Sequence, residues 1–109
     1  MKIIKKKRKF KATKNIKLID CGTIKLLNNE QISIQFGKNK NDITKKNWGF
    51  YLTNSCNRTL KKQFKTAICV GKKTRKIFVI LVDKNKLKLF KKYIKKENMI
   101  VKEWLDRFK

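Results

Sequence analysis

The chain contains no proline and no histidine, only 4 glycines, and only 7 acidic residues in 109. Without histidine it lacks the commonest general base and the commonest metal ligand. The three cysteines are Cys21, Cys56 and Cys69. Their number is odd, they lie far apart, and no C-x₂-C pair occurs, so neither a structural zinc site nor a disulfide framework is expected. Cys69, inside the apolar run AICV, reads as a small core residue. No phosphate-binding loop occurs, so no cofactor is expected. No apolar run approaches the roughly 18 residues of a membrane-spanning helix. The opening MKIIKKKRKF carries charge but no apolar h-region, so a secretory signal is not expected. Together these absences point to a non-enzymatic protein of the reducing cytoplasm.

What the chain has in excess is lysine: 28 Lys and 4 Arg against the 7 acids give a net charge of +25. Charged residues make up 36% of the chain and apolar ones 40%. A chain of this length buries roughly 65% of its unfolded surface, enough for one modest core. Abundant Lys, Asn and Ile with no Pro is also the composition that an AT-rich genome produces. Drift therefore accounts for part of the charge. Self-repulsion at this net charge nevertheless opposes the compact state, and a polyanionic partner relieves it.

Residues 1–12 hold 7 of the basic groups and read as a short basic arm, expected to be flexible. Residues 13–109 carry the other 25 basic groups and all 7 acids, and read as a single small α+β domain. Within it, IKLID and TIKLL flank Cys21-Gly22 and form either one bulged strand or a tight hairpin. QISIQF (31–36) alternates, with Ile32, Ile34 and Phe36 on one side, as a half-buried strand does. GKNKND (37–42) reads as a polar loop. Ser55 is placed to cap a short helix running to about Phe64. KTAICV (65–70) and IFVILV (77–82) read as strands of a hairpin. The second is apolar throughout and is expected at the centre of the sheet, covered on both faces. Asp83 then caps a helix over about 84–97, and MIVKEWL closes as a strand. The fold class is α+β: an antiparallel β portion packed with a C-terminal β-hairpin–helix–strand unit.

At 100° per residue, Leu87, Leu89, Phe90, Tyr93 and Ile94 fall within an arc of about 160°, the apolar side of an amphipathic helix. Opposite them Lys84, Lys88, Lys91 and Lys95 fall within about 60°, a stripe about 16 Å long. Like charges at i,i+4 cost about 0.2–0.5 kcal/mol per pair. No acid lies between Asp83 and Glu97 to relieve the stripe. An amphipathic membrane-surface helix has the same pattern, but the IFVILV strand needs a cover and this helix supplies it.

Three basic groups thus form the candidate nucleic-acid interface: Lys5, Lys6, Lys7, Arg8 and Lys9 in the arm; Lys72, Lys73, Arg75 and Lys76 at the hairpin tip; and the helix stripe. Their chemistry is phosphate neutralisation. Lysine is a point charge without the planar fork that reads bases, so backbone contacts are expected rather than sequence readout. Trp48, Phe50 and Tyr51, flanked by Lys45, Lys46 and Arg58, could stack bases. Core packing is the expectation for Trp48 and Phe50, which leaves Tyr51 as the stacking candidate. The run Asn54-Ser55-Cys56-Asn57-Arg58 has no histidine to activate a nucleophile and reads as a helix cap.

Several motifs together resemble a family of small uncharacterised bacterial proteins associated with surface-glycan loci. They are Asp20-Cys21-Gly22, Asn29-Glu30-Gln31, Trp48-Gly49-Phe50-Tyr51 with Thr53, Ser55 and Asn57, then IFVILVD and EWLD. The resemblance spans most of 17–106, and Arg58, directly after Asn57, departs from the pattern. It implies no reaction and no site residues. The sequence thus supports two readings. One is a non-enzymatic basic protein that contacts RNA or DNA backbone, RNA somewhat preferred. The other is a small accessory or protein-interaction subunit of a bacterial envelope or glycan pathway, its charge a product of drift.

Overall fold

The computed structural model describes residues 1–107 and is of the α+β class, with eight strands, one α-helix and two short 3-10 helices. The strands form three small sheets. The chain divides into two compact units. One comprises Met1–Ile32 and Thr44–Tyr51; the other comprises Ser33–Ile43 and the chain from Leu52 onward.

The first unit is dominated by a long two-stranded ribbon. β1 (Lys2–Thr13) pairs antiparallel with β2 (Ile16–Lys25). The arm expected at 1–12 is therefore a strand. Its few apolar side chains have cross-strand partners, Ile3 against Ile24 and Phe10 against Leu18, and such pairs are what stabilise a ribbon. Between Lys5 and Arg8 the register slips by one residue, so Lys6 and Lys7 together oppose Cys21. Gly22 sits beside this bulge with φ +127°, and a Cβ there would overlap the carbonyl oxygen of Ile4. The β2 strand runs unbroken through Cys21-Gly22, which decides between the bulged strand and the hairpin.

A second sheet has the order β3-β4-β5, with β3 Gln31–Phe36, β4 Asn39–Lys46 and β5 Gly49–Leu52. The polar segment expected as a loop is mostly strand: only Gly37 and Lys38 form the turn before β4. Hydrogen bonds override its low strand propensity. Ser33 Oγ donates to Asp42 at 2.5 Å. Thr44 Oγ1 donates to Gln31 at 3.1 Å. Asn39 Nδ2 donates to the carboxylate of Asp83 at 2.7 Å. Ile34 and Phe36 remain exposed, and only Ile32 is half-buried.

The second unit holds the main core. β6 (Phe64–Gly71) lies between β7 (Ile77–Asp83) and β8 (Met99–Trp104), antiparallel to both. The helix α1 (Leu87–Lys96) connects β7 to β8 and lies against them. Ala67, Cys69, Val82 and Phe90 form the buried cluster, with Ile80, Leu87, Ile94, Met99, Val101 and Trp104 packed around it. The rings of Phe90 and Trp104 meet edge to face at 5.9 Å. The central strand is thus β6, and IFVILV is an edge. The small side chains Thr66, Ala67, Cys69 and Gly71 let neighbours close on both sides of β6, and all are buried. Only the second half of β7 faces the core; Ile77 and Val79 are 67% and 64% exposed.

The chain between the sheets departs from the expected helix at 55–64. A turn leads into a 3-10 helix at Leu60–Lys62. Ser55 closes the turn before this helix rather than capping it: its carbonyl accepts from the N–H of Leu60 at 2.9 Å and its Oγ from that of Thr59 at 3.3 Å, while Thr59 takes the cap position with no side-chain cap bond.

Candidate nucleic-acid interface

The lysine groups fall on the two units. Lys5–Lys9 lie on the ribbon of the first, and the hairpin tip and helix belong to the second. All these side chains are exposed, and the lysines among them make no ion pair among the described residues.

On the ribbon the five basic residues do not act alike. Arg8 pairs across the ladder with Asp20 and shares its face with Phe10 and Leu18. Its guanidinium lies 3.6 Å from the Asp20 carboxylate and stacks 4.8 Å over the Phe10 ring. Asp20 also accepts the N–H of Gly22 at 2.9 Å. Arg8 therefore serves the ribbon's own structure. Lys9 points to the opposite face, with Lys11 and its cross-strand neighbour Lys17. Lys11 and Lys17 were absent from the sequence-predicted set. The signal for them is alternation once β1 is known to be a strand.

In the second unit the hairpin tip and one end of the helix come together. The N–H of Lys72 donates to Asn98 at 2.9 Å, and the N–H of Asn98 donates to Lys95 at 3.3 Å. Lys72, Lys73, Arg75 and Lys76 thus share one end of the unit with Lys95. The tip is a defined turn: Gly71 and Lys76 are bonded at 2.9 Å, Arg75 donates back to Gly71 at 3.0 Å, and Arg75 takes φ +61°. Lys84 lies at the other end and off the helix, its N–H donating to Gln63 at 3.2 Å. The helix begins at Leu87, with Lys86 at its cap and no side-chain cap bond. Asp83 instead closes the turn before it, accepting the N–H of Asn85 at 2.9 Å. The stripe on α1 is therefore Lys88, Lys91 and Lys95. Leu89 and Tyr93, expected on the core side, are exposed.

The aromatic cluster is placed differently from the expectation. Trp48 occupies the turn between β4 and β5 and is 67% exposed; Phe50 is 62% exposed. A four-residue strand after a two-residue turn leaves no layer to cover them. The Trp48 and Tyr51 rings stack at 6.0 Å with 26° between their planes. In the strand that precedes this turn, Lys45 Nζ is held by Asn28 Oδ1 at 2.7 Å and Lys46 Nζ by Asn29 Oδ1 at 2.6 Å.

Most of the few acids are engaged in local structure. Hydrogen bonding from the backbone N–H of Asn85, and then from Asn39, holds the Asp83 carboxyl below the usual carboxylate range. The N–H of Leu27, followed by the Met1 amino group, does the same for Glu30. Asp106 pairs with Lys65 at 3.7 Å. Burial pushes the Cys69 thiol up, as befits a core residue rather than a nucleophile. No group of three or more His, Cys, Asp or Glu side chains is placed to hold a metal among the described residues. No helix among them is long and apolar enough to cross a membrane. No family model, curated protein or solved structure matches the chain.

Proposed function

We propose that the protein is a non-enzymatic, cytoplasmic binding protein for nucleic-acid backbone, RNA somewhat preferred over DNA. The observation that carries this reading is electrostatic. The lysines of the three groups stand in solvent without ion-pair partners among the described residues, while Asp20, Glu30, Asp42, Asp83 and Asp106 bond to local structural partners. Such a surface attracts a chain of phosphates and releases its counterions on contact. In this reading the C-terminal β-hairpin–helix–strand unit presents two of the three lysine groups.

The test is fluorescence anisotropy with a single-stranded RNA, a duplex RNA and a duplex DNA, each across a salt series. The log–log slope should be about −0.9 per phosphate contacted on duplex DNA and about −0.7 on single strands. One of the three should be preferred at physiological salt. Reversing charge at Lys88, Lys91 and Lys95 together should weaken binding and reduce the slope while leaving the circular dichroism spectrum unchanged. Weak binding that vanishes equally for all three nucleic acids would mean the charge is compositional. The accessory-subunit reading would then take its place.

A further inference from the structure

Trp48 lies outside the buried core, and its setting suggests a role in binding. A tryptophan offers a large apolar surface, and most of it is normally buried or used at an interface. Here 67% of it is in water, at the tip of a tight turn, with the Tyr51 ring stacked behind it. The surroundings are cationic. Lys45 and Lys46 immediately precede the turn, and the side chains of Asn28 and Asn29 fix their ammonium groups. Glu30 is connected to this region through its carbonyl, which accepts the N–H of Lys45. Its carboxylate is taken up by Leu27 and the Met1 amino group.

A flat apolar ring a few residues along the chain from fixed positive charges is complementary to a base attached to a phosphate. We propose that Trp48, backed by Tyr51, is a stacking platform for an unpaired base, so that the nucleic acid bound is single-stranded. A duplex presents its phosphates but hides its base faces within the stack, and could engage only the lysines. This inference rests on the nucleic-acid reading and narrows it. It also shifts the stacking role from Tyr51, whose ring supports the platform, to Trp48.

The experiment compares oligouridylate with inorganic polyphosphate, which has the charge but no bases. Oligouridylate should quench the Trp48 part of the intrinsic fluorescence, and polyphosphate should not. Trp48→Ala should weaken oligouridylate binding about ten- to a hundredfold, the range for losing a stacked base. It should leave polyphosphate binding unchanged, with Trp48→Phe in between. Trp48 is exposed, so these variants should keep the wild-type circular dichroism spectrum; the quenching arm uses the unaltered chain and does not depend on them. Equal binding of oligouridylate by wild type and Trp48→Ala, or equal quenching by both polyanions, overturns the platform and leaves the phosphate reading intact. Failure of wild type to bind either polyanion removes both.

Discussion

Two residues of the ribbon show how single side chains decide its shape. Arg8 belongs to the most basic stretch of the chain, yet Asp20 and Phe10 hold it against the ladder. Gly22 adopts φ +127°, which side chains disfavour, and passes directly against Ile4. Gly22→Ala should therefore open the ribbon at the bulge. Strain of this kind costs about 1–3 kcal/mol, a large share of what a two-stranded ribbon has to lose. Hydrogen exchange of the β1 and β2 amides measures it: protection should fall on the ribbon and stay unchanged in β6. Equal ribbon protection in the two proteins would show that the backbone accommodates a Cβ there. The need for glycine could be read from the sequence as a choice between bulge and hairpin. The choice itself could not, because it depends on a register slip that only pairing creates.

At the scale of elements, the helix separates what periodicity reveals from what it hides. A 100° spacing places Leu87, Leu89, Phe90, Tyr93 and Ile94 on one broad side, but the sheet covers only Leu87, Phe90 and Ile94. Hydropathy finds an apolar face; the width of the covering layer decides how much of it is used. The same holds for IFVILV. Six apolar residues signal burial, yet the smaller side chains of β6 make it the strand that can be enclosed. The turn tip at Trp48 escaped for a related reason: a core location follows from residue type only where a layer exists to pack against. Cys69, by contrast, was legible, because a small apolar residue within an apolar run has the same character in any register. A pair of substitutions tests the assignment. Phe90→Ala removes a buried ring and its edge contact with Trp104 and should cost about 3–5 kcal/mol. Leu89→Ala, one residue away, should stay within about 0.5 kcal/mol. Urea unfolding followed by Trp104 fluorescence reports on this unit. Comparable losses at the two positions would mean the helix is rotated from the orientation described.

Over the whole molecule, a charge of +25, with few ion pairs among the described residues, makes ionic strength a structural variable. Raising salt from 0.01 M to 0.15 M shortens the screening length from about 30 Å to about 8 Å. That should stabilise the free protein by damping repulsion among its lysines. Each 1 kcal/mol gained shifts Tm by about 4–8 °C for a domain near this size. Nucleic acid acts in the opposite sense with respect to salt. It stabilises the folded chain by mass action, through RT ln(1 + [L]/Kd), but its Kd rises steeply as salt displaces it. Melting curves with and without single-stranded RNA should therefore lie far apart at low salt and converge as salt increases. The free protein's Tm rises, while the added stabilisation of the complex falls. A charge surplus left by drift predicts the same rising curve for the free protein. Against an equally charged base-free polyanion it predicts no extra stabilisation by RNA at moderate salt. The separation between those two curves, read near physiological ionic strength, measures how much of the lysine surface answers to a partner rather than to composition.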